Sequence, residues 1–205
     1  MPRFLHRVLS LYYEYGSYDY IGEPVSQLTH AIQCYYTARN DLKTKENIPD
    51  DDKQDILIAA LLHDVGHLLS SKNKMIYRGQ NVGNENHEVI GSDFLRELDF
   101  NDLTCSLVRN HVKSKRYLVS KDENYSLSDG SRMSLELQGG KMSREECKDF
   151  EGEPYFYYHL MFRRYDDSAK DLYEKKFNYH TFKKILEELT STVWEKKEGI
   201  ILSFG

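Results

Sequence analysis

The chain has 205 residues, enough for one domain with a buried core, and 30% of its side chains are charged. A net charge of −5 argues against nucleic acid as the main partner, and no apolar run approaches the roughly 20 residues of a membrane-spanning helix. Cys34, Cys105 and Cys147 are widely spaced and form no CxxC pair, which disfavours a zinc knuckle or disulfide framework and suits free thiols. The segment from Met1 to Arg7 lacks the apolar core of a secretion signal, so a cytoplasmic location is expected.

In chain order, Phe4, Leu5, Val8, Leu9 and Tyr12 predict a helix over 3–15. A Gly- and Pro-punctuated loop follows, and Leu28, Ala31, Ile32 and Tyr35 then mark a second helix with His30 at the edge of its apolar face. Asp50, Asp51 and Asp52 suit the N-terminus of a third helix, where the macrodipole favours negative charge. Its stripe is Ile56, Ala59, Ala60 and His63, so a histidine stands where leucine is expected. Gly66 reads either as a close backbone approach or as the helix end.

Residues 70–85 are rich in Ser, Lys, Asn and Gly and read as a long loop, a candidate lid. Asn86 is placed to cap a helix carrying His87, Ile90 and Phe94. Leu103, Leu107, Val108 and His111 predict another helix over about 102–112. Ser128-Asp129-Gly130 reads as a turn before a short helix from Ser131 to Leu137, ended by Gln138-Gly139-Gly140. Ser143 and Glu146 make a capping box. A Tyr-rich helix then runs through Leu160, Arg163, Asp166 and Leu172, and an amphipathic helix covers 177–196. With no useful β-alternation, the fold class is all-α, read as a single domain over 1–205 with its core in about 20–172.

A single histidine on an apolar stripe is more often a hydrogen-bonded core residue than a ligand. Four of them, on buried faces of four predicted helices, shift that balance, because each buried imidazole needs a partner. A shared metal centre supplies all the partners at once. Histidine with carboxylate, and no cysteine, suits iron, manganese or zinc.

The order His30, His63-Asp64, His87, His111, Asp166 resembles the H…HD…H…H…D signature of the HD-domain superfamily, in its dinuclear branch. Further matches narrow the resemblance: Tyr20 to His30, His67, Lys115, Ser131 to Gly140, and Arg163 to Asp167. Together they are similar to the phosphonate-cleaving, mixed-valent diiron oxygenases, and more distantly to myo-inositol oxygenase. Ser134 stands where that family is expected to carry threonine, and the hydroxyl is kept.

The resemblance implies a helical bundle around two iron ions. His30, His63, Asp64 and Asp166 would hold one, and Asp64 would bridge to a second held by His87 and His111. Tyr20 would occupy a coordination position until substrate displaces it, and Glu23 would engage a substrate ammonium group. A packed aromatic and a charge at a helix N-terminus are the plainer readings of these two. His67, Lys115, Ser131, Ser134, Gln138 and Arg163 would surround a phosphonate, with Tyr20, Glu23 and Lys115 closest to the chemistry.

The function expected is O2-dependent cleavage of the C–P bond of a small 1-hydroxyphosphonate, best exemplified by 2-amino-1-hydroxyethylphosphonate giving glycine and phosphate. That is a role in phosphonate catabolism, with the phosphonate and O2 as its only expected partners. The alternative is a metal-dependent HD phosphohydrolase acting on a phosphate ester or nucleotide, which would need room for a base. A regulatory HD module is less favoured, because no ligand is missing.

Overall fold

The computed structural model describes residues 3–20, 25–69, 74–170 and 177–203, with residues 192–203 as backbone only. Leu61, Leu62, Ile58, Ala59 and Ala60 are almost wholly buried, so the C-terminal half of α3 (Asp50–Leu62) is surrounded on every side. It packs against α2 (Gln27–Leu42), α6 (Asp102–Lys121), α9 (Phe156–Ser168) and α10 (Tyr179–Ser203). Burying each leucine or isoleucine there is favourable by about 1.5–3 kcal/mol. α1 (Arg3–Tyr15) closes one side: Tyr12 stacks on Phe182 of α10, with ring centroids 3.9 Å apart, and donates its hydroxyl to the Leu61 carbonyl at 3.2 Å. One apolar cluster therefore runs from Phe4 to Leu189.

α3 stops at Leu62 and α4 (Val65–Leu69) starts at Val65, so His63 and Asp64 sit in the turn between them. On an unbroken helix, adjacent residues point about 100° apart; the turn lets both face one point. Gly66 marks a close approach. A Cβ there would lie 1.9 Å from the His87 carbonyl oxygen and 2.9 Å from the Gly91 nitrogen, so α4 lies backbone-to-backbone on α5 (His87–Glu97).

The expected loop over 70–85 needs correction. Residues 70–73 lie outside the described part, but β1 (Lys74–Tyr77) and β2 (Gln80–Asn84) pair as an antiparallel hairpin. Arg78 and Gly79 turn it with φ of 48° and 84°, the positive values that match the twist of paired strands. Strands of four and five residues are too short for alternation to register in the sequence. Asn86 precedes α5, as expected, but in the left-handed region at φ 57° and without a side-chain cap bond.

Two more expectations shift. α6 continues past 112 to Lys121, because Ser114 and Lys115 are buried on its inner face and break the apolar stripe without breaking the helix. Ser128 caps α7 (Asp129–Leu137) rather than forming a separate turn, its Oγ accepting the Ser131 N–H at 3.3 Å. The capping box at Ser143 and Glu146 opens α8 (Arg144–Glu151) as expected. α9 ends at Ser168, and Leu172 lies outside the described residues. The described chain is thus helical apart from one hairpin. No helix among the described residues is long and apolar enough to cross a membrane.

Candidate metal centre and anion pocket

Four imidazoles converge from four elements: His30 on α2, His63 at the end of α3, His87 opening α5 and His111 on α6. Each donates its Nδ1–H to a backbone carbonyl: His30 to Ala169 at 2.8 Å, His63 to Ala60 at 3.1 Å, His87 to Asn84 at 3.1 Å and His111 to Val108 at 2.7 Å. Three of those carbonyls lie three residues back in the chain, so the local fold aims the rings. With the proton on Nδ1, the Nε2 atoms of His30, His87 and His111 present lone pairs to the centre. At His63 burial is outweighed by Asp64, which holds the imidazole well above its usual pKa and leaves an Nε2 proton for a bound cation to displace.

The four Nε2 atoms face one another in two pairs. The His30 and His63 Nε2 atoms are 3.1 Å apart, as are those of His87 and His111. Asp64 stands between the pairs. Its Oδ2 lies 3.5 Å from His30 Nε2 and 3.2 Å from His63 Nε2, and its Oδ1 lies 3.5 Å from His87 and 3.6 Å from His111. Asp166, from α9, joins the first pair, its Oδ1 3.3 Å from His30 and 3.7 Å from His63.

Asp64 Oδ2 and Asp166 Oδ1 are buried without a hydrogen-bond partner among the described residues. Carboxylate oxygens buried this way among imidazole nitrogens are costly in a bare protein and fit a bound cation. Burial would push the Asp64 carboxyl up, but His63, with His67 and His111, outweighs it and holds the group well below the carboxylate range. For Asp166, Arg163, His30 and His63 likewise outweigh burial. Burial lowers His87 strongly, and lowers His111 to about 4, so both rings are neutral donors at pH 7. Hard carboxylates and neutral imidazoles without thiolate suit a borderline or hard transition-metal ion.

His67 differs from the four. Its Nδ1 accepts the Asn84 N–H at 3.2 Å, so its proton sits on Nε2, 3.9 Å from Asp64 Oδ1. Although it is close enough to share an ion with Asp64 and His87, a protonated Nε2 is a hydrogen-bond donor and not a metal ligand.

Tyr20 covers the first pair, its ring stacked on His30 with centroids 4.0 Å apart and its hydroxyl interacting with Asp64. Burial, then Asp64 and Asp166, raise its pKa well above the usual phenol value. Glu23 lies outside the described residues.

Beyond the imidazoles is a small cavity of about 40 Å³, lined by Tyr20, His67, Lys115, Ser131, Ser134, Gln138, Arg163 and Lys170 among others. All the expected anion-contacting residues that the structure describes meet here. Lys115, only 3% exposed, donates to Ser134 Oγ at 3.0 Å and to the Gln138 side-chain carbonyl. Burial and Arg163 lower its pKa to about 7. Arg163 donates to Asp166 Oδ2 at 2.6 Å, to Asp167, to Ser131 Oγ at 3.5 Å and to the Tyr125 hydroxyl at 3.3 Å. Its guanidinium therefore orients Asp166 as well as lining the cavity.

Lys170, Asn84 and Tyr125 were not anticipated. Asn84 acts largely through backbone groups, which leave no trace in residue type. Lys170 is one lysine among many, and only its place one helical turn after Asp166 could have drawn notice.

The HD domain family matches residues 27–150. An uncharacterized protein of Acanthamoeba polyphaga mimivirus is 39% identical over 168 residues, covering 81% of this chain and 72% of its own. Hydroxymethylphosphonate dioxygenase of Gimesia maris is 35% identical over 157 residues, 74% of this chain and 71% of its own. The glycine-betaine-forming [1-hydroxy-2-(trimethylamino)ethyl]phosphonate dioxygenase of Leisingera caerulea is 32% identical over 157 residues, 76% of this chain and 74% of its own. With its buried His/Asp centre beside a cation-lined cavity, the chain belongs to the HD-domain family and falls within its phosphonate oxygenase group.

Proposed function

We propose that this chain is an iron-dependent dioxygenase that cleaves the C–P bond of a small 1-hydroxyphosphonate. The specific substrate we infer is 2-amino-1-hydroxyethylphosphonate, giving glycine and phosphate. The observation that carries the reading is the cavity: imidazoles and carboxylates form one wall, and lysine, arginine and serine donors form the other. The cavity is small and its lining is mostly polar and cationic, which suits a compact tetrahedral anion.

His30, His63, Asp64 and Asp166 would hold one iron ion, and Asp64, His87 and His111 a second. Bound there, the ions would supply O2 activation and polarise the substrate hydroxyl. The rest falls to the protein. Asp64, with its two oxygens turned to different imidazole pairs, would hold a fixed spacing between the ions. Lys115, Ser134 and Gln138 would bind the phosphonate oxygens from one side, and Ser131 and Arg163 from the other. His67 Nε2–H would donate to a substrate oxygen beside Asp64. Tyr20, packed over His30, would keep water from the centre until substrate enters. Glu23 would pair with the substrate ammonium.

The stoichiometry closes without an external reductant: one O2 joins the substrate, and both its atoms appear in glycine and phosphate. Iron-loaded protein should therefore consume O2 and release phosphate in equal amounts. Phosphate released from an ester or nucleotide in the absence of O2 would replace this reading with the hydrolytic one.

A further inference from the structure

Lys170 stands just beyond the end of α9. The residue before it, Ala169, gives its carbonyl to His30 Nδ1 at 2.8 Å. From there the Lys170 ammonium reaches Ser131 Oγ at 2.8 Å and Ser128 Oγ at 3.1 Å, both at the start of α7. Ser131 Oγ also receives Arg163 Nη2 at 3.5 Å.

Lysine and arginine only donate, so Ser131 Oγ accepts from both. A hydroxyl has two acceptor positions and one O–H. The cations occupy the acceptor side, so the O–H points elsewhere, and Ser131 lines the cavity. Ser134, one turn on, differs: its O–H goes to the Ser131 carbonyl at 3.2 Å while its Oγ accepts from Lys115 at 3.0 Å. Of the two serines, only Ser131 keeps its hydroxyl hydrogen unspent among the described residues. Arg163 meanwhile pairs with both Asp166 and Asp167, which offset its charge.

The geometry points to Lys170 as a positioning residue for a tetrahedral oxyanion: it holds Ser131 as a one-way donor into the cavity. This rests on the phosphonate reading for the identity of the anion.

The test uses iron-loaded full-length protein and methylphosphonate, titrated calorimetrically without O2, so that binding is read apart from turnover. Lys170→Met should weaken binding roughly ten-fold, the ratio one charge-assisted hydrogen bond carries. Lys170→Arg should recover most of the loss, and iron content should stay unchanged. Ser131→Ala alone should lose a similar factor, and the double variant Lys170→Met, Ser131→Ala should fall little further. Wild-type affinity in Lys170→Met, additive losses in the double variant, or loss of iron with Lys170→Met overturns the assignment. Should Lys170→Met fail to fold, Ser131→Ala decides: unchanged affinity there refutes it. Binding that depends on Lys170 without O2-linked phosphate release would sink the oxygenase reading and leave this one standing.

Discussion

The rings of His67 and His87 lie stacked, with centroids 3.8 Å apart and planes 15° apart, yet they carry their protons on opposite nitrogens. Asn84 imposes this: its N–H donates to His67 Nδ1, and its carbonyl accepts from His87 Nδ1. One strand residue thus makes one imidazole a donor toward the cavity and its neighbour a lone pair toward the centre. The two should respond differently to mutation. His87→Ala should lose bound metal, whereas His67→Ala should keep it and lower kcat/KM on the order of 10- to 100-fold. Elemental analysis beside kinetics reads both, and metal loss in His67→Ala would make His67 a ligand after all.

Asp64 is the only described carboxylate facing both imidazole pairs. Asp64→Ala should therefore empty both halves of the site. Asp166→Ala, on one pair only, should weaken one half and retain metal at the other. Metal titration of the two variants tests this, and two ions retained by Asp64→Ala would refute the bridging role.

Lys115 predicts a pH dependence. Burial, first, and Arg163 lower its pKa from 10.5 to about 7. Between those values the unfolded chain holds a proton that the folded one has lost, so this site's contribution to stability rises with pH across the window and is least below about 7. A dianion bound beside it favours the charged form, so binding above pH 7 takes up a proton. Above about pH 8, phosphonate affinity should fall as pH rises, approaching ten-fold per unit. Calorimetry in buffers of different ionisation enthalpy counts the proton. Lys115→Met should bind more weakly and lose the slope; an unchanged slope would assign the proton to another group.

Phe182, fully buried against Tyr12, ties α10 to α1. Phe182→Ala should cost about 3–5 kcal/mol, a fall in Tm on the order of 10 °C for a chain of this length. One cooperative transition at the lower Tm is expected if α10 belongs to the same folding unit as the site. Two separate transitions would place it in a unit of its own.

Much of the site was legible because histidine and aspartate stood where apolar stripes called for leucine. His63 and His111 continue their helix faces, and burial without partners left metal as the economical reading. The helices over 3–15 and 102–112 were readable from the same periodicity. What escaped depends on geometry rather than residue type. Asn84 works mainly through its backbone, the hairpin is too short for alternation to register, and Arg163 divides its donors between Asp166 and the cavity wall. A spacing argument could bring Arg163 near Asp166, but not show that it would be bonded to it. The lid expected over 70–85 meets a further constraint, since moving β2 would release the rings of both His67 and His87.

Gly66 sets a tolerance for everything around it. Because its α-carbon rests against the carbonyl of His87, the gap between the two halves of the centre is gauged at a position that contributes no side chain to it. One added methyl group would force α4 and α5 apart beside the turn that holds Asp64 between the two imidazole pairs. The absence of a side chain at this position is thus what lets the two imidazole pairs share one carboxylate.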